Sequence, residues 1–110
     1  MITTVKDLEK EVEKFREKRL VSIICIDEGN FRLIYQFDNR GKIEPLEISV
    51  PRKKPIVKSI SKTFPNSEFY EREIHDFFGV EFEGNPRLHE KLFLPDGWRG
   101  KPPLRKDKHA

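Results

Sequence analysis

Residues 71–86, EREIHDFFGVEFEGNP, crowd three carboxylates, an arginine and a histidine into six positions and follow them with Phe-Phe-Gly. Three chemistries suit such a cluster: general acid–base work by paired carboxylates, metal binding, or recognition of another protein. The first fails on geometry. Glu71 and Glu73 stand two apart, so on a helix their side chains diverge by about 200° and cannot flank one bond. The second fails on spacing. His75, His89 and His109 do not recur at ligand intervals, there is no CxxC pair, and a metal site wants such groups converging. Cys25, the single cysteine, falls mid-strand among Ile residues, where a thiol behaves as a small buried hydrophobe. A contact surface remains.

Helical spacing divides this segment into two faces. Tyr70, Ile74, Phe77 and Phe78 lie within roughly 60° of one line, which predicts a core stripe. Phe69, Arg72 and Asp76 point the other way, with Glu71 and Glu73 on the flanks. The outward face is either solvated or built to be covered.

The elements that must position this helix follow from pattern. Val5, Leu8, Val12 and Phe15, behind Thr4 and Asp7 in capping-box positions, predict a helix over 5–18. LVSIICID (20–27) reads as a buried strand. In 31–38, Phe31, Leu33, Tyr35 and Phe37 alternate strictly, and Leu46, Ile48 and Val50 repeat that period. Pro45 makes the third strand an edge, at least at its start. Ile56, Val57, Ile60 and Phe64 share a helical face up to Pro65. Ser67 caps a third helix over 68–78, which Gly79 closes, and 80–83 is a short strand. The expected architecture is α+β: an antiparallel sheet with helices packed on one face, followed by an extended C-terminal tail. A core domain at 1–86 and a docking tail at 87–110 are the expected divisions.

Composition limits the function. With 110 residues, of which 33 are Leu, Ile, Val or Phe, the chain supports one core. Lys and Glu dominate the 37% of charged residues, a balance that leans toward a thermophilic source. The net charge of +3 does not by itself imply a polyanion partner. Charge is polarised, however: residues 66–90 hold seven acids against two bases, and the last thirteen residues are basic. The basic stretches PRKKPIVK and RGKPPLRKDKH leave a small nucleic-acid-binding module as a minor alternative, opposed by the acidic helix. One cysteine suits a reducing compartment, no apolar run reaches the ~20 residues of a membrane span, and the N-terminus lacks a signal core.

Residues 71–107 carry a more specific signal. Glu71, Arg72, Glu73, Asp76, Phe77, Phe78, Gly79, Val80, Phe82, Gly84 and Pro86, then Asp96, Trp98, Gly100, Pro103, Leu104, Arg105, Lys106 and Asp107, follow one ordered pattern. That pattern resembles the signature region of the C subunit of respiratory complex I and its relatives. Asn85 stands where the respiratory form usually has histidine, and the RLHEK segment is one residue longer. A short chain with PPLRKD is more similar to the counterpart in energy-converting membrane-bound hydrogenases and related ferredoxin-linked complexes.

The resemblance implies a non-catalytic subunit of the peripheral arm, on the cytoplasmic side of the cell membrane and attached only through the complex. It implies no cofactor on this chain. Iron–sulfur clusters, and in the hydrogenase case a nickel–iron centre, belong to the partners, which are the large catalytic subunit and the small iron–sulfur subunit. The expected interface comprises Phe69, Glu71, Arg72, Glu73, Asp76, Phe82, Pro86, Trp98, Arg99, Pro103, Leu104, Arg105, Lys106 and Asp107. Trp98 and Arg105 are of the residue types that anchor interfaces.

Overall fold

The computed structural model describes residues 2–89. The expected tail positions Trp98, Arg99, Pro103, Leu104, Arg105, Lys106 and Asp107 lie outside the described residues.

The centre is a three-strand meander whose hydrophobic alternation fixes its register. Strand β2 (Arg19–Glu28) pairs antiparallel with β3 (Asn30–Asn39), which pairs antiparallel with β4 (Lys42–Val50). Phe31, Leu33, Tyr35 and Phe37 of β3 are all fully buried, while Arg32, Ile34 and Gln36 face the other way. Gly29 (φ 100°) and Gly41 (φ 90°) turn the hairpins in the left-handed region that glycine tolerates.

A strand that the sequence did not reveal, β1 (Ile2–Thr4), joins β4 in parallel at Glu47–Ser49 and completes the order β1-β4-β3-β2. Pro45 sits before that pairing begins, so its missing N–H costs no sheet hydrogen bond, as expected of an edge at the strand's start.

The first helix is shorter than 5–18. Val5–Asp7 forms a 3₁₀ turn and α1 spans Leu8–Glu13. Beyond it the chain tightens into i→i−3 bonds such as Phe15 N–H to Val12 O at 2.9 Å. The apolar stripe is nonetheless inward. Leu8 and Val12 are buried, and Phe15 stacks on Phe37 at 4.3 Å between ring centres.

The second expected helix is absent, and β5 (Ile56–Lys58) occupies its start. Pro55 and β-branched Ile56 and Val57 favour extended backbone, and a parallel partner, β6 (Glu81–Glu83), is at hand. Ile60 and Phe64 then bracket a single helical turn closed by Phe64 N–H to Ile60 O at 2.8 Å.

Helix α2 (Ser67–Phe78) forms as expected but begins one residue early. Ser67 is its first helical residue rather than its cap. Asn66 precedes it and sends its amide to the Leu20 carbonyl at 2.9 Å, tying the helix start to the beginning of β2. One core cluster runs from Leu8 to Leu88 and joins α1, the sheet, β5–β6 and α2. No helix among the described residues is long and apolar enough to cross a membrane.

Candidate partner-docking surface

Helix α2 packs between the sheet and the β5–β6 ribbon, and that position decides which side chains face outward. Gly79 ends the helix at φ 82° and donates its N–H to His75 O at 2.9 Å. The chain then runs through buried Val80 into β6. It turns at Gly84 (φ 94°) and brings Asn85 back under α2.

At that return point Glu71 forms a buried hub. Its side chain is 0% exposed. One carboxylate oxygen accepts from Ser59 Oγ at 2.6 Å and from Asn85 Nδ2 at 2.9 Å, and the other accepts from the Ile60 N–H at 2.9 Å. The three donors come from the loop after β5 and the turn after β6, so one side chain pins both to the helix. Burial raises the Glu71 carboxyl above its usual range, and the hydrogen bonds from Ser59, Ile60 and Asn85 oppose that rise. Either protonation state is accommodated. A protonated Glu71 can donate to Ser59 Oγ while the Ser59 hydroxyl turns to Ser61 Oγ at 2.9 Å.

Asn85 extends the hub. Its amide also donates to Glu68 O at 3.2 Å, and its carbonyl oxygen accepts the Arg87 N–H at 3.0 Å. Leu88 is buried in the core, Arg87 Nε lies 3.7 Å from Glu68, and His89 Nε2 lies 3.4 Å from Glu81. Residues 85–89 are therefore fastened to α2 and β6, so packing continues past the composition change at residue 86.

The expected interface residues divide accordingly. Glu71 is enclosed by its own chain, and Phe82 is 1% exposed within the core. Arg72 and Asp76 are also buried, at 7% and 5%, rather than on an open helix face. Glu73 is half-buried and Pro86 is exposed. Phe69 is the clear surface aromatic, 48% exposed, with its ring edge-on to Tyr70 at 5.9 Å. Of the expected core stripe, Ile74 is buried, Tyr70 and Phe78 are partly buried against the core, and Phe77 is half-buried.

Phe69 stands beside an open groove of about 390 Å³ lined by Pro65, Asn66, Glu68, Phe69, Tyr70, Arg72 and Arg87. Glu68 sits between two guanidinium groups there, 3.9 Å from Arg72 and 3.7 Å from Arg87. An aromatic beside arginines and one carboxylate, on a rigid helix, suits protein recognition. The described residues hold no group of three or more His, Cys, Asp or Glu arranged for a metal. Burial, with the nearby Asp27 charge, pushes the Cys25 thiol up to about 12, which leaves it protonated and a poor nucleophile.

All 110 residues match the family described as "Respiratory-chain NADH dehydrogenase, 30 Kd subunit". The chain belongs to that family. It is 37% identical over 83 residues to the C subunit of the NADH-quinone oxidoreductase of Roseiflexus castenholzii, covering 73% of this chain and 46% of that protein. It is 45% identical over 65 residues to the fused C/D subunit of the NADH-quinone oxidoreductase of Gluconacetobacter diazotrophicus, covering 59% of this chain and 10% of that one. The chain thus spans less than half the length of these relatives.

Among solved structures, a chain of the membrane-bound sulfane sulfur reductase, an archaeal respiratory membrane complex, matches with a TM-score of 0.84 and 28% identity. That match covers 96% of this chain and 68% of the other. The trypsin-resistant fragment of Nqo5 shares the fold, with a TM-score of 0.70 and 21% identity over 77% of this chain and 78% of that one.

Proposed function

We propose that the chain is a non-catalytic structural subunit in the peripheral arm of a complex I-like, membrane-associated electron-transfer assembly. It docks on the large catalytic subunit beside the small iron–sulfur subunit, on the cytoplasmic side of the membrane. The observation that carries this reading is the family match over the whole chain. The site agrees with it, because the polar residues of α2 build structure rather than a reaction centre. The chain carries no cluster of its own: its one thiol is held protonated, and a cluster takes three or four thiolates.

The favoured setting is an energy-converting hydrogenase or a related ferredoxin-linked complex. The hydrogenase choice rests on the PPLRKD resemblance; the wider class is supported by coverage, since 96% of this chain aligns with a chain of the membrane-bound sulfane sulfur reductase and covers 68% of it. A quinone-reducing complex is the second reading, favoured by the names of the curated relatives.

Within the assembly, the Phe69 groove and the segment beyond His89 form the contact. Trp98 anchors it apolarly, and Arg105 meets a carboxylate of the large subunit. Trp98→Ala weakens assembly by ~2 kcal/mol if the residue is a hot spot. Purification from native membranes with identification of the associated subunits tests the reading. Recovery with a large subunit and an iron–sulfur subunit is expected. The electron acceptor that the purified complex reduces separates hydrogenase-type from quinone-reducing assemblies.

A further inference from the structure

The outer side of α2 is buried more deeply than β2 and β6 alone explain. At 100° per residue, Arg72 and Asp76 stand about 160° to either side of Ile74, which faces the core. The sheet meets α2 through β2, on the Ile74 side. The β6 ribbon and the turn at Asn85 meet it on the side of Glu71, His75 and Glu68. By angle Asp76 lies beyond both, yet it is 5% exposed, and Arg72 is 7% exposed. A charged side chain on an open helix face stays in water, so a further segment covers this one.

Position singles out that segment. The N-terminus leads out from β1, at the far edge of the sheet from β2. The C-terminal residues start beside the covered band. Arg87 lines the groove with Arg72, and the His89 ring lies edge-on to His75, the neighbour of Asp76, at 5.3 Å between ring centres. The next residues, 90–97, read EKLFLPDG. Leu92, Phe93 and Leu94 form an apolar run that needs a surface to cover, and Pro95 holds Leu94 extended. Lys91 brings a cation to a side that carries Glu73 and Asp76. Fully extended, residues 90–97 span about 26 Å, against about 18 Å for the length of α2.

We propose that residues 90–97 form a strap across the outer side of α2 within this chain, with Lys91 beside Asp76 and Glu73 and the Leu92–Leu94 run against half-buried Phe77. Phe69, 48% exposed, stays outside the strap. The strap thereby fixes where residues 98–110 leave the helix toward a partner, and that last clause alone rests on the assembly reading above.

Trypsin and a carbodiimide, applied separately to the isolated full chain, test this. The Lys91–Leu92 bond is expected to resist trypsin at least about tenfold longer than the Arg99–Gly100 bond, because cleavage needs the strap to lift. The carbodiimide joins an amine to a carboxylate in contact with it, and is expected to couple Lys91 to Asp76 or Glu73 in the monomer. Phe93→Ala is expected to narrow the difference between the two bonds to less than about threefold, and a variant that keeps the full difference overturns the packing of the apolar run. Equal cleavage of both bonds in the unmodified chain overturns the strap. So does resistance with Lys91 coupled only to carboxylates outside α2. Coupling confined to a dimeric mass assigns the cover to a second copy and overturns it equally. These readouts all come from the free chain, so failure to find the chain in an assembly overturns the assembly reading and leaves the strap standing.

Discussion

Replacing Glu71 by glutamine changes one atom, and the hub predicts a cost out of proportion to that change. The carboxylate accepts three hydrogen bonds and donates none in its ionised form. Glutamine offers one acceptor oxygen and one NH₂. If the oxygen keeps the Ile60 N–H, the new NH₂ faces the Asn85 amide, donor against donor. If it keeps Ser59 and Asn85, the NH₂ faces the Ile60 N–H. Either way one buried donor is stranded, which costs about 1–3 kcal/mol. Glu71→Ala strands the Ile60 and Asn85 donors and opens a cavity, so about 3–5 kcal/mol is expected. Urea melts followed by far-UV circular dichroism measure both.

The pH dependence gives a second reading of the same pair. Burial raises the folded-state carboxyl of Glu71 above the ordinary value near 4.5. As pH rises past that ordinary value, the unfolded chain loses this proton first. The group's contribution to stability therefore falls with pH until the folded carboxyl also ionises. Glutamine lacks this titration, so the advantage of wild type over Glu71→Gln should be largest in acid and shrink above about pH 4.5. A Glu71→Gln protein within about 0.5 kcal/mol of wild type at every pH would refute the hub.

Three further outcomes are expected. The Tyr35 hydroxyl is buried without a hydrogen-bond partner among the described residues, so Tyr35→Phe should stabilise the domain by about 1 kcal/mol in the same urea melts; a loss of similar size would mean that the hydroxyl is satisfied. Phe69→Ala, at a 48% exposed position, should change the melting free energy by less than about 0.5 kcal/mol yet weaken retention in the purified complex, and an unaffected complex would remove the Phe69 groove from the interface. The isolated chain should be colourless and inactive with hydrogen, nicotinamide or quinone, and stoichiometric iron by elemental analysis would contradict that.

The sheet was legible because its alternation is unambiguous. Phe31, Leu33, Tyr35 and Phe37 leave one way to face a core. Gly79 marked the end of α2 because its backbone there needs a positive φ. By contrast, Ile56, Val57, Ile60 and Phe64 fit helical spacing even though the first two lie in a strand. The deciding fact, the parallel partner at Glu81–Glu83, is remote in sequence. β1 was illegible for the same reason: three residues acquire strand character only from β4. At 100° per residue Glu71 stands about 60° from Ile74, as far round as Phe77, so its angle already put it at the edge of the core stripe, and only its charge moved it to a flank. A carboxylate buried with three donors looks identical to one in water. The available clue was the pair of serines flanking Ile60, together with Asn85 straight after Gly84. The burial of Arg72 and Asp76 was hidden on the same ground, since both were read as an outward polar face.

The central claim is that this chain works as a fastened part of a larger assembly. Tagging it at its native locus, solubilising the membranes in mild detergent and passing the extract over a size-exclusion column tests this most directly. The chain is expected to elute far above its own 13.1 kDa, together with a large subunit and an iron–sulfur subunit at equal stoichiometry. Elution as a free 13.1 kDa species from the soluble fraction, with no membrane-derived partner, would contradict it.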